Sequence, residues 1–240
     1  MRGFGDIPLV VKNLLIINAI FFAIKLGFGN PIDSLLALHY WDSPFFQPHQ
    51  IITHMFMHGG FLHLVFNMFG LWMFGSAVEK VWGPKRFLQF FVFSGLGAAL
   101  FHFIIIYFRI ANLESQLELE QIQLVIAEGA DALASNQNFI NEQMAQLNLL
   151  YNIGIVGASG ALFGVLLAFA MMFPDTELYI MFIPIPIKAK YAVIGFGAYE
   201  LFSGTARIEG DNIAHFAHLG GLLFGFLMIT YWKKTGKGLY

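Results

Sequence analysis

Uncharged apolar runs recur along this chain, and several approach the roughly 20 residues that a helix needs to cross a hydrocarbon core about 30 Å thick. Six such spans are predicted, at about 9–28, 60–78, 87–108, 154–173, 187–203 and 214–232. The fifth is the weakest, being short and interrupted by Gly195 and Gly197. In the long loop between the first two spans, the stretches DSLLALHY and PHQIITHMFMH read as short amphipathic pieces lying at the membrane interface. The other long connector, about 110–153, is rich in Glu, Gln and Asn and places Ile110, Leu113, Leu117 and Leu124 in a partly helical pattern. A helix pair resting on the membrane surface is expected there, with no function attached. The pattern therefore predicts an all-α membrane protein, residues 1–240 forming one domain of six transmembrane helices.

Composition points the same way. Of 240 residues, 58% are hydrophobic, 28 of them Phe, and only 12% are charged, whereas soluble domains are about half apolar and a quarter charged. Cysteine is absent, which excludes disulfides, thiolate catalysis and Cys-ligated zinc. A net charge of −2, carried in short connectors, argues against a nucleic-acid partner.

Arg2 and Lys12 flank the start of the first apolar run, but no small-residue cleavage site follows, so a retained anchor is expected. If six spans alternate, Arg2, Lys12, Lys80, Lys85, Arg86, Lys188, Lys190, Lys233, Lys234 and Lys237 share one side. Only Arg109 and Arg207 fall in the opposite loops, with Lys25 near a span end. Both termini are then cytoplasmic and the acidic connector faces outward. Two long outer loops without cysteine fit a bacterial plasma (inner) membrane. No internal repeat is evident, which weighs against an inverted-repeat transporter.

Polar side chains inside spans are costly and call for a reason. Counted from the outer side, Ser159 in the fourth span and His218 in the sixth fall at one depth, roughly 6–8 Å in. His63 and Asn67 in the second span enter at about 4 and 10 Å and share a helix face through their i, i+4 spacing. A serine hydroxyl becomes nucleophilic when a base takes its proton, and a neutral imidazole suits that role near pH 7. Attack on a peptide carbonyl makes an oxyanion, for which His63, Asn67 and the Ser159 backbone N–H are suitable donors. Glycines 154, 157, 160 and 164 in one span, and Ala214, Ala217, Gly221 and Gly225 in the other, supply the small residues that let two helices approach closely.

On these residues the chain resembles the rhomboid intramembrane proteases. HGGFLHLVFNMFG (His58–Gly70), GASG (Gly157–Gly160) and AHLGGLLFG (Ala217–Gly225) resemble that family's three signatures, in its order. The turn after the second span, with Gly83 and Arg86, is similar as well. The resemblance covers roughly residues 10–232. It implies a six-helix rhomboid-like bundle in which Ser159 and His218 form a catalytic dyad without a carboxylate. It further implies oxyanion stabilisation by His63, Asn67 and the Ser159 amide, with Gly157 shaping the adjacent backbone. By the same resemblance the fifth span and the loop after it form a lateral gate and cap. The implied activity is hydrolysis of peptide bonds in or near the transmembrane helices of membrane-protein substrates, without cofactor or metal. Transmembrane proteins and membrane lipids are the expected partners. A catalytically silent member that only binds membrane helices is the alternative, distinguished by loss of Ser159 or His218.

Other polar residues are weighed against plainer roles. His54 and His58 have metal-ligand spacing, but HMFMH lacks the carboxylate base of HExxH, so they and His49 are read as interfacial. His215 lies on a neighbouring face from His218 and is read as a supporting or water-facing group. Asp211, with Asn212, is read as a helix cap rather than as the third member of a triad. Glu200 is expected to face solvent or a loop, Glu79 to brace a turn, and His102 to be structural.

Overall fold

The computed structural model describes residues 7–179, 185–206, 215–236 and 238. The cap expected at Asp211 and Asn212, and the positions expected of Arg2, Arg207, Ala214 and Lys237, lie outside the described residues.

Among the described residues the architecture is helical. Helix α1 (Leu9–Phe28) has no side-chain cap of its own. Its first amides are instead satisfied from afar: Val10 and Val11 donate their N–H groups to the two carboxylate oxygens of Glu79, at 2.9 and 2.8 Å. Glu79 thus does more than brace a local turn, and its charge also suits the positive end of the helix. After Gly29 come α2 (Asn30–Leu36), α3 (Gln50–Thr53) and a 3₁₀ turn, His54–Phe56.

The next rod, Phe61–Trp82, is built from α4 (Phe61–Gly70), a π-helical segment (Leu71–Gly75) and α5 (Ser76–Trp82). The widened turn ends on Gly75, where a Cβ would meet Val11 at 3.1 Å and Phe87 at 3.3 Å, so the rod touches its neighbours there through bare backbone. Gly83, at φ +76°, adopts the left-handed conformation that ends α5. Pro84 then opens α6 (Pro84–Glu114) at a position where its missing N–H costs nothing.

Next along the chain are α7 (Leu119–Ala134), α8 (Glu142–Asn152) and α9 (Ser159–Met172). A two-stranded antiparallel hairpin, β1 (Glu177–Leu178) with β2 (Ile187–Lys188), leads to α10 (Ala189–Ala206), and α11 (His215–Lys234) comes last.

Three of these helices, Leu9–Phe28, Phe61–Trp82 and Pro84–Glu114, are long and apolar enough to cross a membrane. Helix α9 is apolar but only 14 residues long, about 21 Å. It begins at Ser159 rather than near 154 because the preceding residues run extended. Leu38 and Ile155 exchange backbone hydrogen bonds of 3.0 and 2.9 Å, which ties the first long loop to the approach to α9.

Helices α6, α9 and α11 pack around a core that includes Phe87, Phe90, Val165, Ala168 and Ile229. Exposed Ile20, Phe66, Phe69, Leu100, Ile104 and Phe202 cover the outside. Such an apolar exterior is suited to lipid rather than water. The acidic connector does not simply lie on a surface. Its helices α7 and α8 close over the extended end of α6 in a second core of Ile110, Leu113, Val125, Met144 and Leu147, joined by Tyr40 from the first loop.

Candidate active site

The site is assembled where α9 and α11 cross at their glycines. A Cβ on Gly225 would lie 3.1 Å from Gly164 Cα, and one on Gly221 would drive into the carbonyl of Gly160. This backbone-to-backbone approach lets two short side chains meet. His218 Nε2 stands 2.7 Å from Ser159 Oγ, within the reach that proton transfer requires. Phe163, one turn beyond Ser159, stacks flat on the His218 ring with centroids 4.4 Å apart and planes at 6°, fixing the imidazole's orientation.

Ser159 is the first residue of α9. Its own N–H, with those of the next residues, therefore has no acceptor within the helix. Just before it, Gly157 takes φ +134° and donates its N–H to the His54 carbonyl at 2.9 Å. A Cβ there would be strained by the backbone and crowded by His63 Nε2 at 3.1 Å and Ser159 Oγ at 3.3 Å.

The same neighbourhood fixes the state of His63. The Gly59 N–H lies 3.3 Å from His63 Nδ1 and donates to it, so a neutral ring carries its proton on Nε2. That is the atom bordering Gly157 and Ser159, and it is a donor. Asn67, one turn along α4, is buried, and its Nδ2 has no hydrogen-bond partner among the described residues. An unspent amide donor at this depth is unusual unless something else accepts from it.

A cavity of about 20 Å³ adjoins Ser159, lined by His54, Gly95, Ala98, Ile155, Gly157 and Ala217. It has room for one water. His54 is 5% exposed, with its Nδ1 2.8 Å from the Gln50 carbonyl. Burial pulls its pKa down to about 4. His58, fully buried, is pulled down to about 4 by the same desolvation and then by neighbouring His63. Both rings are thus held neutral at physiological pH.

Glu200 differs from its expected surroundings, whereas His215 is buried as a supporting rather than a water-facing group. Glu200 is buried rather than solvent-facing, and His215 is buried beside it, with 2.5 Å between Glu200 Oε2 and His215 Nδ1. The same carboxylate oxygen lies 3.0 Å from His218 Nδ1. Neither of these contacts nor the stacking of Phe163 was expected from the sequence. Phe163 at i+4 from Ser159 was the one legible hint, since that spacing places both on one helix face.

A family model described as the Rhomboid domain matches residues 46–234. The chain is 26% identical over 245 residues to RHOMBOID-like protein 12, mitochondrial, of Arabidopsis thaliana, covering 100% of this chain and 62% of that protein. It is 28% identical over 185 residues to Rhomboid protein 1, mitochondrial, of Saccharomyces cerevisiae, covering 77% and 42%. With Rhomboid protease GlpG of Yersinia pestis it shares 24% over 234 residues, covering 96% and 64%. The chain spans between two fifths and two thirds of the length of these relatives.

Proposed function

The chain belongs to the rhomboid family, and on that premise we propose that it is an intramembrane serine protease that cuts membrane-protein substrates in or near their transmembrane helices. The observation that carries this reading is the 2.7 Å contact between Ser159 Oγ and His218 Nε2.

In the proposed mechanism His218 Nε2 accepts the hydroxyl proton as Ser159 Oγ attacks the scissile carbonyl. The oxyanion is held by the His63 Nε2–H, the Asn67 amide and the Ser159 N–H, with Gly157 keeping the backbone clear. The carbonyl re-forms as the C–N bond breaks, and His218 returns its proton to the leaving amine. Water, deprotonated by His218, then attacks the acyl ester, and His218 returns that proton to Ser159 Oγ as the ester C–O bond breaks. No cofactor or metal takes part in any of these steps.

The substrate helix has to unwind locally, because paired backbone amides are shielded from attack, so helix-breaking or small residues near the cut favour cleavage. We take the domain to comprise all of residues 1–240, with α9, α10 and α11 completing six spans and α10 forming the lateral gate. Cation asymmetry supports a cytoplasmic location for both termini and an outward-opening site. The named relatives are mitochondrial as well as bacterial, so a bacterial plasma (inner) membrane address has only the cysteine-free outer loops behind it.

The test uses protein purified in detergent with a labelled transmembrane substrate and a fluorophosphonate probe. Wild type is expected to cleave and to be labelled, and folded Ser159→Ala to do neither. Cleavage by Ser159→Ala at the wild-type rate rejects the assignment. A wild-type protein inert in both assays supports a silent, helix-binding member of the family.

A further inference from the structure

We propose that Glu200 is a positioning residue that completes a Ser159–His218–Glu200 triad, holding the His218 ring by its Nδ1–H so that Nε2 faces the serine. This role rests on the protease reading and departs from the dyad that the family resemblance implies.

Three side chains from three helices line up. Ser159 Oγ is 2.7 Å from His218 Nε2, and the opposite ring nitrogen, Nδ1, is 3.0 Å from Glu200 Oε2. Glu200 is 6% exposed and His218 9%. A carboxylate at such a depth needs partners. Its partners among the described residues are two imidazoles, since His215 Nδ1 lies 2.5 Å from the same oxygen.

His218 Nδ1 is buried without an aligned hydrogen bond, although Glu200 is within reach. Catalytic hydrogen bonds are often misaligned before substrate binds, and the 3.0 Å separation keeps this pair within bonding reach. The alternative use of the cluster is a metal site, because Glu200, His215 and His218 all present ligand atoms within 4.8 Å of one another. Adjacent ligands of a tetrahedral zinc, each bonded at about 2.0–2.1 Å, stand about 3.3 Å apart. The 2.5 Å between Glu200 Oε2 and His215 Nδ1 is instead that of a hydrogen bond, and the 3.0 Å to His218 Nδ1 is that of an ion-pair contact.

The chemical consequence is twofold. A proton held at Nδ1 leaves Nε2 free to accept from Ser159, and the carboxylate then stabilises the imidazolium formed on attack. Among the described residues, His215 on its own helix, His63 from α4 and His102 from α6 also lie in electrostatic reach of His218, and His215 shares the Glu200 carboxylate with it.

The experiment compares wild type, Glu200→Gln and Glu200→Asp for kcat and KM. Glu200→Gln is expected to lower kcat on the order of 10²-fold with KM little changed. Glu200→Asp, which keeps the carboxylate, should recover much of the rate. A Glu200→Gln protein with wild-type kcat, or a folded Glu200→Asp protein that recovers none of the lost rate, overturns the triad while leaving the protease reading intact.

Should wild type prove inert, the protease reading fails separately and the placement of the proton still decides the inference. In [¹⁵N]histidine-labelled wild type, the resonances lost in His218→Ala should report Nδ1 protonated and Nε2 bare, and Glu200→Gln should disturb that pattern. Protonation at Nε2 in wild type overturns it.

Discussion

Asn67 carries the clearest single-residue expectation. In the proposed mechanism its buried Nδ2, which has no hydrogen-bond partner among the described residues, donates to the oxyanion that exists only during reaction. Asn67→Ala should therefore lower kcat by about 10²–10³-fold, roughly 2.7–4 kcal/mol, while KM changes little. A matching rise in KM with kcat preserved would mean that Asn67 only binds substrate. The meeting of Ser159 and His218 was legible because each sits in a short motif with small neighbours at helical spacing. Glu200 was not legible. It lies between exposed Tyr199 and Leu201, and the buried face it shares with Ala192, Val193 and Ser203 is too weakly apolar to announce that a carboxylate turns inward there.

Among the elements, the crossing of α9 with α11 holds the most exacting geometry. Gly221 faces the Gly160 backbone with no room for a side chain, and backbone cannot step aside as a flexible side chain can. Gly221→Leu is expected to cost about 3 kcal/mol, the upper end of the usual overpacking range, and to abolish probe labelling of Ser159. A labelled, normally stable variant would show that the helices can separate without dispersing the site. Most helices were foreseen because long apolar runs announce themselves. The start of α9 was misplaced because Gly154, Ile155, Val156, Gly157 and Ala158 are as apolar as a span, yet Ile155 pairs with Leu38 in extended backbone. Hydropathy registers the first property and is blind to the second. Likewise α6 outruns its expected end because α7 and α8 give its polar extension something to pack against, including a 2.9 Å hydrogen bond from Tyr151 Oη to Glu114.

For the whole molecule, buried histidines set an acid limit on stability. His54 and His58 are both pulled down to about 4, against an ordinary value of about 6.5. The unfolded chain therefore takes up their protons first as pH falls. Stability should be full above about pH 6.5 and decline toward about pH 4, by on the order of 3 kcal/mol for each ring. Thermal unfolding in detergent across that window checks this, and His54→Gln should flatten the slope; a wild-type curve level from pH 7 to 4.5 would contradict it. At this scale Glu79 also does more than cap a helix. Its two oxygens hold the starting amides of α1 from a site on α5, so sliding or tilting the first helix breaks two buried hydrogen bonds together. On the proposed function, a guest helix entering sideways is therefore not expected to part α1 from α5.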